Sequence, residues 1–268
     1  MADKFSLAGR HALVTGGARA IGANIAEALA QAGASVVIGD ILDDLGRETA
    51  AGLSKAGVKS GFVHLDVTDE AQWERAVPSI IQQIGGFDIL INNAGVEVSA
   101  LVADLEVASL RRMVDINVVG TLLGMKHAFR AMRPGGAAAK GGSVVNIASV
   151  AATIAFPAIS AYSATKSAVD RMKRVAAVEA GKLGYGVRVN CIYPGLIANE
   201  MGVKLAQDIV ALGLAPDIET AVAGVVGQTA LGRLAEMPEI ADAAVFLCSD
   251  AAKFITGIGL PVDGGMGT

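Results

Sequence analysis

Aromatic residues make up only 4% of the 268-residue chain, and it has seven prolines, two cysteines and three histidines. Each shortage removes a class of explanation. Cys191 and Cys248 both sit in apolar stretches and cannot build a disulfide framework. Scattered histidines without a Cys-x-x-Cys pair predict no metal site. Positive charge is not in excess: 22 basic residues stand against 26 acidic ones, a net charge of −4. That balance argues against a nucleic-acid grip built on phosphate neutralisation. No apolar run approaches the ~18 residues needed to span a bilayer, and residues 1–10 lack the apolar centre of a signal peptide. The expectation is a globular protein of the cytoplasm with no membrane or nucleic-acid partner.

What is present is apolar and glycine-rich. Hydrophobic residues supply 53% and charged ones 18%, with 33 glycines. A core made of Ala, Val, Ile and Leu suits a parallel sheet covered by helices on both faces. Many glycines beside few prolines suit tight strand–helix junctions. The chain alternates accordingly. An apolar run over 11–15 meets glycines, then Ile21, Ile25, Leu29 and Ala32 recur at helical spacing until Gly33. Residues 35–39 read as a second strand ending at Asp40. Further strands are expected at 62–65, 87–91, 143–148, 187–192 and 260–262. Helices are expected after Asp69, over about 115–133 and from Tyr162 to Leu183. The pattern predicts an α/β fold in one domain over 1–268, a doubly wound parallel sheet of about seven strands. Residues 134–142 read as a surface loop. Residues 196–227 interrupt the alternation with helical sequence, where a substrate lid belongs.

Thr15-Gly16-Gly17-Ala18-Arg19-Ala20-Ile21-Gly22 joins the first strand to the first helix. Gly16 permits the tight turn, the small Ala20 lets phosphate oxygens approach the backbone, and Gly22 lets the helix pack on the sheet, with a pyrophosphate at the helix N-terminus. This is the Rossmann-type arrangement, although its spacing differs from the commoner G-x-G-x-x-G. Asp40 ends the second strand, where a carboxylate accepts both adenosine ribose hydroxyls and favours NAD. It would repel a 2′-phosphate by roughly 4 kcal/mol per unit charge at ~4 Å with an effective dielectric of ~20. Arg19 is the counter-signal for NADP, and both residues could instead simply cap turns. Asp66, ending the third strand, is placed to hold an adenine amino group.

Tyr162 and Lys166 are four residues apart on an expected helix and share a face. Alone the pair is common, a solvated lysine beside a core tyrosine. Ser149, ending the fifth strand thirteen residues earlier, converges on the same sheet edge, and Asn117 adds a polar group among apolar neighbours.

In this order and spacing the chain resembles the short-chain dehydrogenase/reductases over essentially its whole length. The matching residues are Thr15 to Gly22, Asp66, Asn92 to Gly95, Asn117, Ser149, Tyr162, Lys166, Pro194-Gly195, Thr256-Gly257 and Val262-Asp263-Gly264-Gly265. Residues 36–43 and 63–68 are similar to NAD-dependent bacterial hydroxysteroid (3-alpha/20-beta type) and alicyclic secondary-alcohol dehydrogenases. Ala20 stands where glycine is more usual. Asn199 stands where many members have a threonine that holds the nicotinamide carboxamide; its amide can replace that contact. The resemblance implies that Tyr162 is the general base in alcohol oxidation and the general acid in ketone reduction. Ser149 would hold the substrate oxygen, Lys166 the nicotinamide ribose, and Asn117 a water passing protons from Lys166. Presenting tyrosinate near pH 7 costs about 4 kcal/mol, which one cation at ~4 Å supplies at an effective dielectric of ~20. The expected cofactor contacts also include Ile21, Ile41, Val67, Asn93, Ala94, Gly95, Pro194, Gly195 and Ile197.

The expected pocket wall is apolar: Val150, Ala151, Ala152, Phe156, Tyr193, Leu196, Met201, Leu205 and Ile209. No basic residue lies between Leu196 and Val203 to anchor an anionic substrate. A neutral, hydrophobic secondary alcohol or ketone is therefore expected, steroid or alicyclic. Val119, Leu122, Leu123 and Phe129, with Ala164, Ala168, Met172 and Val175 on the next helix, put apolar residues on more than one face. The resemblance implies a homotetramer with residues 260–268 near a second interface. Two alternatives stand beside this reading. One is an NADP-dependent 3-oxoacyl-thioester reductase, for which Arg111, Arg112, Arg130 and Arg133 could form a basic patch. The other is a nucleotide-sensing module without chemistry, which would not need Asn117, Ser149, Tyr162 and Lys166 together.

Overall fold

A computed structural model of the chain describes residues 4–266; residues 1–3 and the last two of the expected 260–268 interface segment lie outside it. Among the described residues, seven strands form one sheet: β1 (His11–Thr15), β2 (Ser35–Asp40), β3 (Ser60–His64), β4 (Ile89–Asn92), β5 (Gly142–Ile147), β6 (Val187–Pro194) and β7 (Gly259–Val262). The order is β3-β2-β1-β4-β5-β6-β7, and all six pairings are parallel. The chain lays strands outward on one side of β1, then returns to the other side at β4. The carboxyl ends of β1 and β4 thus flank the crevice where such sheets bind ligands.

Period-two alternation of the strands supplies two cores, one per sheet face. Val14, Ile38, Ile91 and Ile192 face one side, together with Ile25 and Leu29 of α1 (Ala20–Gln31), Ala50 and Leu53 of α2 (Asp43–Leu53), and Ile240 and Leu247 of α9 (Met237–Cys248). Leu13, Val37, Leu90 and Val189 face the other. They meet Trp73 and Ile80 of α3 (Glu70–Ile84), Met125 and Met132 of α5 (Thr121–Met132), and Ala176 and Ala180 of α6 (Ser160–Lys182). Small residues on α6 let this 23-residue helix lie close to β6.

Two differences from the sequence reading bear on the site. The helix expected over 115–133 is instead α4 (Val107–Val114), a π-helical turn (Asp115–Gly120) and α5 in continuous succession. No glycine or proline pattern announces the π turn, which widens the helix where Asn117 must meet the backbone of Val96. The lid segment contains α7 (Glu200–Ala211) and α8 (Ile218–Val226), capped by the side chains of Asn199 and Asp217. Among the described residues, no helix is long and apolar enough to cross a membrane.

Candidate active site

A cleft of about 1410 Å³ opens at the carboxyl ends of the central strands, under α7 and α8. At its floor the β1–α1 turn is too tight for side chains. Gly16 has φ +61°, and a Cβ there would lie 2.8 Å from the Ala94 Cα; a Cβ on Gly22 would lie 2.1 Å from the Gly16 carbonyl oxygen. Ala20 itself holds a positive φ of 49° at the helix start. Asn93 locks the turn by donating from Nδ2 to the carbonyls of Thr15 at 3.1 Å and Gly16 at 2.9 Å. Asn92 donates to Asn146 Oδ1 at 2.8 Å and so braces the neighbouring strand end. Asp40 is buried, accepting from the Ala18 N–H and the Leu42 N–H, each at 3.0 Å. Arg19 reaches across to Glu200 at the start of the lid at 3.0 Å, with both side chains largely exposed. Asp66 accepts from the Thr68 N–H and hydroxyl through one oxygen.

The other half of the cleft holds the reactive polar groups. Ser149 follows β5 and accepts the Ala151 N–H at 3.1 Å. Its hydroxyl is close enough to the Tyr162 phenol, which projects from the first turn of α6, to favour the phenolate. Lys166, one turn further on, is buried; its Nζ lies 5.6 Å from the Tyr162 ring centre and donates to the Ile147 carbonyl at 2.8 Å. Burial pushes Tyr162 up to about 12; the Ser149 hydroxyl opposes this and the Glu97 charge adds to it. Burial pushes Lys166 down to about 8. The phenol is therefore not acidified in the protein by itself, contrary to the expectation from a lysine one turn away. Loss of water around tyrosinate is the largest effect, and the Glu97 charge adds to it.

The cleft brings together every residue expected to hold the cofactor: Gly16, Arg19, Ala20, Ile21, Gly22, Asp40, Ile41, Asp66, Val67, Asn93, Ala94, Gly95, Tyr162, Lys166, Pro194, Gly195, Ile197 and Asn199. It also gathers Ser149, Val150, Ala151, Phe156, Leu196, Met201, Leu205 and Ile209. Two residues expected on the apolar wall are corrected, since neither Ala152 nor Tyr193 is on the cleft. On β6 Tyr193 shares parity with Cys191, and its hydroxyl turns toward α6 to bond Asp170 and Lys173. Asn117 lies behind the cleft wall, its amide spent on both backbone groups of Val96 at 2.9 and 2.8 Å and on Thr165 at 3.0 Å. It is close to Lys166 all the same, since a Cβ on Gly95 would meet Asn117 Oδ1 at 3.3 Å and Lys166 Nζ at 3.4 Å. Asn199 uses its side-chain oxygen to cap α7, accepting the Gly202 N–H at 3.0 Å. Glu97 and Lys204, which sequence reasoning passed over, also line the cleft; neither belongs to a spacing pattern that would have marked it.

A family profile described as Enoyl-(Acyl carrier protein) reductase matches residues 16–267. Trans-4-hydroxycyclohexanecarboxylate dehydrogenase of Sinomonas cyclohexanicum is 38% identical over 261 residues, 95% of this chain and 91% of the relative. A 3-alpha-(or 20-beta)-hydroxysteroid dehydrogenase of Mycobacterium bovis is 38% identical over 259 residues, 97% of this chain and 90% of the relative. The crystal structure of a short-chain type dehydrogenase/reductase from Mycobacterium marinum superposes with a TM-score of 0.86 at 29% identity, covering 99% of this chain and 98% of that one. The chain belongs to the short-chain dehydrogenase/reductase family.

Membership implies a nicotinamide dinucleotide, and the residues present fit one. The β1–α1 turn has no room for a Cβ at Gly16 or Gly22, residues 19–22 at the start of α1 line the cleft, where a helix N-terminus suits a pyrophosphate, and Asp40 stands at the tip of β2. In a short-chain dehydrogenase/reductase the bound nicotinamide takes up or gives back the hydride.

Proposed function

We propose that the protein transfers hydride between NAD(H) and a neutral, hydrophobic secondary alcohol or ketone, of alicyclic or steroid type. The observation that carries this reading is the meeting of Ser149, Tyr162 and Lys166 in the same cleft as the β1–α1 turn and Asp40. Ser149 holds the substrate oxygen. In oxidation the substrate O–H proton passes to the Tyr162 oxygen as the hydride leaves the carbinol carbon; in reduction Tyr162 returns it. Lys166 would hold the ribose side of the cofactor, and it adds a positive charge near the phenol. The positive charge that an oxidised nicotinamide would bring to the cleft would favour the phenolate further. A second unit charge at ~4 Å is worth about 4 kcal/mol at an effective dielectric of ~20, or roughly three pKa units.

NAD over NADP is supported by the buried carboxylate of Asp40, which two backbone N–H groups keep at the strand tip. The Arg19–Glu200 pair is exposed and contributes little to a fixed phosphate site. The apolar residues Phe156, Leu196, Met201 and Leu205 support a hydrophobic ring as substrate, and the similarity to a hydroxycyclohexanecarboxylate dehydrogenase and a hydroxysteroid dehydrogenase supports a hydroxyl on a ring. We also infer one catalytic domain with the lid at 196–227, and a cytoplasmic setting in keeping with two free, buried cysteines. A second reading, reduction of a 3-oxoacyl thioester with NADPH, draws on Arg111 and Arg112, which border the cleft, and on the wording of the matching profile.

One spectrophotometric panel separates them: cyclohexanol, cyclopentanol, a hydroxysteroid and acetoacetyl thioester, each with both dinucleotides in the appropriate oxidation state. Turnover of cyclic alcohols with NAD, and a narrowed NAD preference in Asp40→Ala, is the expected outcome. Turnover confined to the thioester with NADPH would replace this reading with the second.

A further inference from the structure

The chemistry above makes no use of Glu97. It follows the Asn92-Asn93-Ala94-Gly95 turn and lines the cleft close enough to Tyr162 for its charge to act on the phenol. One carboxylate oxygen, Oε1, accepts the Ser99 hydroxyl at 2.7 Å. The other, Oε2, is buried and has no hydrogen-bond partner among the described residues. The groups acting on Glu97 are few: Ser99 from its own loop, Tyr162 from α6, and Lys204 and Asp208 from the lid helix α7. Lys204 does not neutralise it, being ion-paired with Asp208 one turn along the same helix. Burial holds the Glu97 carboxyl above its ordinary range, with Ser99 and Lys204 pulling it back and Asp208 opposing them.

A buried carboxylate oxygen without a donor is costly and rare in a folded protein. Phe156, Leu196, Met201 and Leu205, on the same cleft, have no donor to give it. Glu97 itself lines the cleft, so a rotation of its side chain brings Oε2 to a donor on a molecule that enters. We propose that Glu97 determines substrate specificity: its unpaired Oε2 accepts a hydrogen bond from a second hydroxyl on the substrate, so that cyclic diols and hydroxyketones are preferred to simple cyclic alcohols. The assignment rests on the reading of the cleft as one that oxidises secondary alcohols. A neutral hydroxyl is the better match than an amine. It satisfies the oxygen whether or not Glu97 is ionised, and it brings no second charge out of water.

The test compares kcat/KM for cyclohexanol, the three positional cyclohexanediols and 4-aminocyclohexanol, in the unaltered enzyme, Glu97→Gln and Glu97→Leu. The unaltered enzyme should prefer at least one diol to cyclohexanol by roughly ten- to a hundredfold, the range for one hydrogen bond to a charged acceptor. Glu97→Leu should reverse that order, losing the diol and gaining cyclohexanol, because the apolar ring no longer desolvates a carboxylate. Glu97→Gln, which keeps an acceptor oxygen, should retain most of the preference. Equal losses on diol and cyclohexanol in Glu97→Leu, or a preference for the amino alcohol, overturn the assignment. Should no alcohol turn over with either dinucleotide, the hydride-transfer reading fails, and calorimetry of the diols with the protein holding reduced dinucleotide decides the present one. Diol binding lost only in Glu97→Leu upholds it, and binding equal in all three proteins, or undetectable in all three, overturns it.

Discussion

At the scale of single residues, burial dominates the electrostatics of the site. Lys166 is at about 8 in the folded protein against 10.5 for a free lysine. Between those values the unfolded chain binds more protons than the folded one, so this group makes stability rise with pH across the window. Below about pH 8 the buried ammonium carries its full penalty. Removing the charge in Lys166→Met should therefore stabilise the protein relative to the unaltered chain most at pH 7, with the advantage shrinking by up to about 3 kcal/mol toward pH 10.5. Denaturant unfolding at both pH values measures this difference, and an advantage that does not change with pH would show that Lys166 is not held as an ammonium out of water. Tyr162 works in the opposite sense: raised to about 12, it lowers stability as pH climbs above the ordinary phenol value of 10.0.

The residues that sequence made legible are those whose role is written in local spacing. Gly16 to Gly22 and the Tyr162–Lys166 pair lie within single turns, where chain geometry alone brings them together. Tyr193 was not legible as a core residue, because its partners Asp170 and Lys173 come from another element. A signal was available in parity: Val189, Cys191 and Tyr193 alternate on one face of β6, the face that meets α6. Glu97 offered no such signal, since a lone acid two residues past a glycine looks like any loop residue.

Among the elements, α6 carries two polar pairs along one side. Tyr162 and Lys166 serve the cleft, and Asp170 and Lys173, one and two turns further on, anchor the helix to β6. Lys173 is fully buried, 2.5 Å from Asp170 and 3.0 Å from the Tyr193 hydroxyl, and Asp170 also receives that hydroxyl. The ring of Tyr193 lies so close to β7 that a Cβ on Gly259 would come within 2.1 Å of it. Asp170→Asn leaves the ammonium buried without its counter-charge. It should destabilise the protein by about 3–5 kcal/mol, read as a melting point lowered by roughly 6–10 °C for a chain of this size. A change of under about 2 °C would mean that the cluster does not fasten α6. Strand and helix order was readable because burial on both sheet faces imposes period two on strands and period 3.6 on helices. The π turn over Asp115–Gly120 was not, because it answers to a contact with Val96 across the fold.

For the whole molecule, apolar side chains remain outside the two cores. Val119 and Leu122 are 40% and 51% exposed, and Val175 and Val178 on α6 are 58% and 59% exposed. Leu123, Phe129 and Met172, expected on that surface, are instead half-buried against the core beneath α5 and α6. The remaining exposed residues lie on neighbouring helices and support assembly through this face. A homotetramer is the expected state, so sedimentation equilibrium at micromolar concentration should give four times the 27.1 kDa chain mass. A particle of 27.1 kDa would leave that face without an explanation.

The account as a whole depends on the Tyr162 oxygen exchanging a proton with the substrate beside a bound dinucleotide. Turnover of the best cyclic alcohol by Tyr162→Phe, with the affinity for NADH measured on the same preparation, tests this most directly. Loss of a positioned acid–base group predicts a fall of roughly 10²–10⁴-fold in kcat, with NADH affinity unchanged to about twofold, well within one hydrogen bond's worth. A phenylalanine variant that turns over within threefold of the unaltered enzyme would contradict the account.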